Sequence, residues 1–472
     1  MKKKIVSIML STCMVMGLLA GCGVSTDTGS DDSGSAPADE AADSTDAAAG
    51  TESSDAGTEE TAQTPAPTGD ETEITWMFWD DMEATEDLIT KGYKEVIDRF
   101  NADYAGQYHC NVITTNLEEY DTKLNALIAA NDTPDMFICN PGPNLKQYVD
   151  AGIAADLTDI LNNQEKEWYD TFSSGIFDKI TYEGKIMAVP TNFAAGCVFY
   201  NTEMFEEVGV GIPSSFDELL ETCAKIEAAG YSPIACSAGT AWCLAVVGGY
   251  VIERVGGPNN LTKAEAHEIE WTDPDFIEAG EKLKELSQYF QPTAAGDSND
   301  QATAAFYNGE AAMLIQGSWA IAQINGNNPD FEQKCGVFQF PGVEGGADAN
   351  RMVVKTDNLV MSSTTEHQDA VIALMKYFTD ETAQKYTAEV GGKIPVVDGV
   401  EIDYDKAPAQ LSYIQDILAN TTGTLGFLNE ELSSVEAGDI INNALVDLYL
   451  GNCTSEEAFQ KVQDFYEKNI WK

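Results

Sequence analysis

Two hydrophobic periods alternate along the body of the chain. Residues 74–79, Ile-Thr-Trp-Met-Phe-Trp, make an apolar run of strand length that ends in Asp80-Asp81-Met82-Glu83. Leu88, Ile89, Val96, Ile97 and Phe100 then recur at helical spacing. Residues 109–115 read as a second strand, and Tyr120, Leu124, Leu127 and Ile128 mark one face of a second helix. Asp132-Thr-Pro-Asp135 breaks the chain before a third strand at 136–139. The loop Asn140-Pro-Gly-Pro143 then leads into a short helix. Strand and helix alternating three times within roughly 80 residues predict a parallel sheet covered by helices.

The pattern changes after residue 180. Strands are expected at 186–190, 197–200, 311–316, 336–340 and 357–362. Ser215-Phe-Asp-Glu218 has the form of a capping box, opening a helix that Gly230 ends. Asp273-Pro274 starts a helix running to about Tyr289. Val371, Leu374, Met375 and Phe378 belong to another, and Thr454-Ser-Glu-Glu457 is a second capping box. There is no internal repeat.

The first residues follow a different logic. Lys2, Lys3 and Lys4 precede an apolar run from Ile5 to about Ala20, the layout of a signal peptide. The run falls short of the ~20 apolar residues of a spanning helix. It ends Leu19-Ala20-Gly21-Cys22, which resembles the lipobox of bacterial lipoproteins. That resemblance implies lipidation of Cys22 as the mature N-terminus, and two acyl chains suffice for stable anchoring. The plainer alternative is an ordinary secretory signal with an incidental Cys22. Residues 23–73 hold 14 acidic residues, no Lys or Arg, and Val24 as the one large aliphatic. Such a stretch cannot bury enough apolar area to offset its ordering entropy, so 23–73 is expected to be a disordered acidic tether.

Charge narrows the partners. The 472 residues carry a net −52, and 43% of them are hydrophobic, enough for sizeable cores. Residues 74–472 alone retain −41. A surface this acidic excludes nucleic acid and charge-driven binding to anionic membranes. Arginine occurs only as Arg99, Arg254 and Arg351, which disfavours bidentate capture of an anionic ligand. A neutral sugar fits, and so does a cation such as a polyamine, because aromatics with Asp or Glu suit both.

Catalytic patterns are weak. His109, His267 and His367 are far apart, and no zinc spacing, P-loop, G-x-G-x-x-G or G-x-S-x-G occurs. No cofactor, metal or enzymatic activity is therefore expected. Asp80-Asp81 and Glu430-Glu431 keep a secreted glycoside hydrolase as a remote alternative, and a surface adhesin is another. Cys110, Cys139, Cys197, Cys223, Cys236, Cys243, Cys335 and Cys453 sit mostly in apolar contexts and read as buried thiols. Disulfides are the alternative for an exported chain, Cys236–Cys243 being the nearest pair.

Four local patterns in order carry a wider resemblance. They are Tyr120-Asp-Thr-Lys-Leu124 running through Pro134-Asp-Met-Phe137, and Gly184-Lys-Ile-Met-Ala-Val-Pro190 with Val198-Phe-Tyr-Asn201. Next comes Met204-Phe-Glu-Glu-Val-Gly209 with Pro213-Ser-Ser-Phe-Asp-Glu-Leu219, and then Phe306-Tyr-Asn-Gly309 through Ala312-Met-Leu-Ile-Gln-Gly-Ser-Trp319. Together they resemble the extracellular solute-binding proteins of bacterial ABC importers, in the sugar-binding group, over residues 74 to about 470. The resemblance implies a two-lobed α/β fold like that of periplasmic binding proteins, with discontinuous lobes joined by a hinge. Lobe 1 would be 74–188 plus 342–395 and lobe 2 would be 189–341 plus 396–472, following signal 1–22 and tether 23–73. Crossings would lie near Val189-Pro190, Phe340-Pro341 and Ile394-Pro395, each with a fixed-φ proline. It further implies a monomer, lipid-anchored to the outer face of the cell membrane, that captures a sugar or oligosaccharide and delivers it to permease subunits.

Ligands of open α/β sheets bind outside the carboxyl ends of strands. That rule selects Trp79, Asp80, Asp81 and Asn140, an aromatic with polar neighbours suited to the apolar face and hydroxyl rim of a sugar. The resemblance adds Asn192 and Phe193 after the first crossing, Trp242, Trp319 of the Gly-Ser-Trp motif, Asp357 and Phe427. Asp80, Asp81 and Asp357 also suit caps or solvated turns, and Trp242 a buried helix. Trp76 reads as core, and Trp168, Trp271 and Trp471 as structural.

Overall fold

The computed structural model describes residues 71–347 and 349–471. The signal, Cys22 and residues 23–70 lie outside the described residues. Eleven strands occur among them. They are β1 (Thr72–Phe78), β2 (Tyr108–Thr114), β3 (Met136–Cys139), β4 (Thr181–Tyr182), β5 (Lys185–Ile186), β6 (Val189–Asn201), β7 (Ser232–Ala235), β8 (Ala311–Gly317), β9 (Cys335–Phe338), β10 (Arg351–Met361) and β11 (Gly423–Leu425). Nine belong to one sheet with the path β2-β1-β3-β10-β6-β8-β7, while β9 joins β6, β11 joins β10, and β4-β5 is a separate hairpin.

β1 pairs parallel with both β2 and β3, as the strand–helix alternation predicts. Pairing of Thr72 with Tyr108 starts β1 two residues earlier than its apolar run, because the ladder, not side-chain burial, sets that end. Helix Leu88–Asp103 is opened by Asp87, whose carboxylate accepts from the Thr90 amide at 2.9 Å. The Thr454 capping box is complete. At the other predicted box Ser215 accepts from the Glu218 amide, but the Glu218 carboxylate reaches back to the Ser214 amide at 2.8 Å instead.

The chain builds two large cores. One gathers Ile74, Trp76, Met77, Phe137, Leu359, Val360, Val371 and Phe378. The other gathers Val198, Phe216, Leu244, Tyr250, Trp271, Leu283, Phe340, Leu445 and Tyr466. β6 and β10 run between them. Val189 packs in the first core and Val198 in the second, whereas Val353 packs in the second and Leu359 in the first. Each is one long strand where the sequence pattern shows a short piece. β6 joins the expected runs 186–190 and 197–200, and β10 extends the run 357–362 back to Arg351. The small residues Ala194, Ala195 and Gly196 between the apolar runs pair with β10 or β8, so tertiary pairing fills the gap.

The pairing of β6 with β10 slips between Asp357 and Asn358: Asn192 faces Asp357, but Pro190 faces Asn358. Thr191 is the extra residue of a bulge, a position where a strand accommodates a proline lacking its N–H. Phe340 stacks on Tyr250 at 4.9 Å and Val343 stays in the second core, while Val396 and Val397 pack in the first. By packing, β10 passes between the two cores near 354–358, while Phe340 and Val343, on either side of Pro341, both lie in the second core.

The eight described cysteines are free thiols, seven of them buried, so Cys236 and Cys243 form no bridge. Burial pushes the Cys236 thiol above its ordinary value. Trp76 and Trp271 are fully buried in the two cores. No described helix is long and apolar enough to cross a membrane.

Candidate functional site

The carboxyl end of β1 delivers Trp79 to the edge of the first core, half-buried. Tyr120 holds it there, ring edge to ring face at 5.7 Å, and anchors itself by donating to the Ile138 carbonyl at 2.6 Å. Asp80 ties down the following loop. Its Oδ2 accepts from the Thr85 and Thr90 hydroxyls at 2.9 and 2.8 Å, and its Oδ1 from the Asp81 amide at 2.8 Å. Asp81 is exposed and accepts from the Glu83 amide. Both aspartates thus serve their own turn in this structure.

On the second core, each residue of Gly317-Ser318-Trp319 has a separate task. Ser318 Oγ accepts from the Ala195 amide at 3.1 Å, and its own amide donates to the Ala195 carbonyl at 2.8 Å, clamping the end of β8 to β6. Trp319 folds back over Gly317, where a Cβ would meet the indole at 2.1 Å. Phe427 backs Trp319 at 5.1 Å and is itself buried in the second core. Trp242 stands half-buried at the start of helix Ala241–Gly256, 6.2 Å from Trp319.

Between the two lobes lies a polar floor built on β6 and β10. Asp357 is buried, accepts from Lys393 Nζ at 2.9 Å and lies 3.3 Å from Lys355 Nζ. Burial alone would raise the Asp357 carboxyl; the Lys393 and Lys355 ammonium groups outweigh it and hold the carboxyl well below its ordinary range. Asn192 is buried against this floor and donates to Tyr93 Oη at 2.8 Å. Thr191 Oγ1 donates to the Asp357 carbonyl at 3.1 Å. Asn140 Oδ1 accepts from Lys355 Nζ at 2.6 Å. Phe193 points its backbone at Ile394, with N–H to carbonyl distances of 3.0 and 3.2 Å, and packs beside the first core.

Trp79, Asn140, Asp357, Trp319, Trp242 and Phe427 therefore form one connected constellation, with Lys355 at its centre. Asn192 joins from beneath, through Tyr93 and Thr191, whereas Asp80, Asp81 and Phe193 stand to the side. Two contributors, Lys355 and Lys393, escape the sequence reading, and a third, Glu430, enters it only as half of a candidate carboxylate pair. Lys355 shares a strand face with Asp357 at i and i+2, a signal that the short strand expected at 357–362 hides. Lys393 carries no local signal. Glu430 belongs to the C-terminal loop that reaches the first lobe: Glu431 takes Lys179 at 2.8 Å, and the backbone of Glu430 sits so close to Gly142 that a Cβ there would meet it at 2.4 Å. Gly142 has φ +68°, so that close approach and its conformation both call for glycine. Burial pushes the Glu430 carboxyl up to about 7, against the pull of Lys355, and its Oε2 has no hydrogen-bond partner among the described residues.

A two-lobed α/β fold with an aromatic and polar site between the lobes is the architecture of a solute receptor. Residues 86–385 match the family described as bacterial extracellular solute-binding protein, and the chain belongs to that family. Among curated proteins it is similar to a multiple sugar-binding protein of Streptococcus mutans, 25% identical over 310 residues that cover 62% of this chain and 70% of the relative. A probable sugar-binding periplasmic protein of Mesorhizobium japonicum is 26% identical over 292 residues, covering 60% and 67%. A structure solved in a study of xylan utilization by the thermophilic bacterium Caldanaerobius polysaccharolyticus superposes with a TM-score of 0.77 at 25% identity, over 83% of this chain and 99% of that one. A chitin oligosaccharide binding protein shares the fold, with a TM-score of 0.76 at 24% identity over 85% and 99%.

Proposed function

We propose that this chain is the substrate-binding component of an ABC importer, capturing a sugar or oligosaccharide between its lobes and handing it to membrane permease subunits. One observation carries the reading: Trp79 from the first lobe and Trp319 from the second flank the same polar floor of Asn140, Lys355 and Asp357. Indole faces suit the C–H faces of a pyranose, and the floor supplies donors and acceptors for its hydroxyls. The sugar-binding relatives support the same class of ligand.

Ligand contacts shared between lobes favour the closed state, since only differential affinity shifts a conformational equilibrium. In this reading the protein is a binder without catalytic residues, and Trp79, Asn140, Asn192, Trp242, Trp319, Asp357 and Phe427 form or support the ligand site. By packing, the first lobe comprises β1–β5, the start of β6 at Val189, the far half of β10 and Val396-Val397; the second holds the rest of β6 and β10 and the remaining strands. The signal at 1–22, lipid attachment at Cys22 and a tether from 23 to the start of β1 complete a monomeric receptor held at the outer face of the membrane; Thr72 and Glu73, expected in the tether, belong to β1 because they pair with Tyr108 and His109.

Thermal-shift screening of the purified protein against xylo-, chito-, malto- and galacto-oligosaccharides, monosaccharides and polyamines tests this. A cognate sugar at ~100 times its Kd adds about 2.7 kcal/mol to the free energy of unfolding. Stabilisation by polyamines alone, or by neither class, would overturn the sugar reading.

A further inference from the structure

The slot between the two tryptophans already contains a cation. Lys355 Nζ lies 6.0 Å from the Trp79 ring centroid and 5.0 Å from that of Trp319. Its side chain is 14% exposed, so the ammonium is largely withdrawn from water, and Asn140 Oδ1 accepts its hydrogen bond at 2.6 Å. Asp357 is the nearest carboxylate, at 3.3 Å, but Lys393 also holds it, at 2.9 Å. Two ammonium groups therefore share one carboxylate.

That arrangement bears on which solutes the cleft admits. A cationic solute would seek the faces of Trp79 and Trp319, because indole quadrupoles attract cations. Lys355 occupies that position, Asp357 is shared by two ammonium groups, and burial pushes the other carboxyl beside Lys355, that of Glu430, toward its neutral form. Repulsion between like charges is strong where water is largely excluded. A polyol meets no such penalty. It can stack on the same indoles while the Lys355 ammonium, with three donors and a flexible stem, turns toward its hydroxyls. We propose that Lys355 is a specificity-determining residue of the cleft: an internal cation that excludes amine solutes and donates hydrogen bonds to sugar hydroxyls. The donating half of this inference rests on the sugar-binding reading above; the excluding half does not.

Calorimetric titration of wild type, Lys355→Gln, Lys355→Met and Lys355→Arg with spermidine tests the excluding half. Wild type and Lys355→Arg should refuse spermidine, while the two neutral variants should bind it at least about tenfold more tightly than wild type. Sugar affinity, measured with whichever oligosaccharide stabilises wild type, should fall in both neutral variants and return in Lys355→Arg. Neutral variants that melt cooperatively yet refuse spermidine as wild type does would overturn the proposal. So would loss of cooperative melting in both, which would make Lys355 a structural residue. Wild type that binds spermidine and no sugar would sink the sugar reading as well, whereas neutral variants that gain spermidine while wild type binds no sugar would sink that reading alone.

Discussion

Trp319 lies directly over Gly317, close enough that a methyl group on the glycine would stand 2.1 Å from the indole ring. The absence of a side chain at Gly317 thus leaves the space that the indole fills. Gly317→Ala should displace the indole and weaken sugar binding about as much as Trp319→Ala does, with the fold retained. Truncating a central aromatic contact costs ~2 kcal/mol or more of binding, a loss of about thirtyfold. Isothermal titration of both variants with the cognate sugar checks this, and a Trp319→Ala protein that binds as wild type does would remove Trp319 from the site.

Asp357 neutralises Lys393 and Lys355 inside the sheet. Asp357→Asn leaves Lys393 buried without its counter-charge, and breaking a buried pair costs about 3–5 kcal/mol. Equilibrium urea unfolding at pH 7 should show that loss. Because the folded carboxyl lies below its ordinary value of 3.8, its contribution is complete above that pH and disappears as pH falls through the folded value. The gap between wild type and variant should therefore narrow in strong acid; a gap independent of pH would refute the ion-pair account.

Glu430 works in the opposite direction. Burial raises its carboxyl from 4.5 to about 7, so the folded state holds that proton more tightly than the unfolded chain does. Below pH 4.5 the group has no effect. Between 4.5 and about 7 it progressively destabilises the fold, by roughly 3 kcal/mol at full strength. Glu430→Gln should remove this dependence, gaining on wild type between pH 5 and pH 8. Glu265, also raised to about 7 by burial, shifts both proteins alike and cancels. Urea melts at the two pH values decide it, and an unchanged difference would show that the Glu430 carboxyl is solvated.

Much of the fold was legible along the chain because local physics writes it there. The strands and helices of the first ~80 body residues follow from hydrophobic period, Thr454 from its capping box, and the burial of Trp76 from its place in an apolar strand. The half of β10 before Asp357 was not legible. Arg351, Lys355 and Thr356 interrupt its apolar pattern, and only pairing with β6 makes it a strand. Lys355 was hidden with it.

The sequence by itself marked Trp79 and Trp319, two of the residues that gather around the polar floor. Trp79 ends a strand, and Gly317-Ser318-Trp319 is a motif read in a line. It also determined the acidic character and the scarcity of arginine. Tertiary structure alone decided what those residues do together. Lys355 and Asp357 lie two residues apart on β10, and the fold brings Lys393 from outside β6 and β10 to the same carboxylate. Their contacts join positions far apart in the chain, such as Asn140 and Lys355, and attraction between side chains so separated leaves no periodic trace for a sequence to carry.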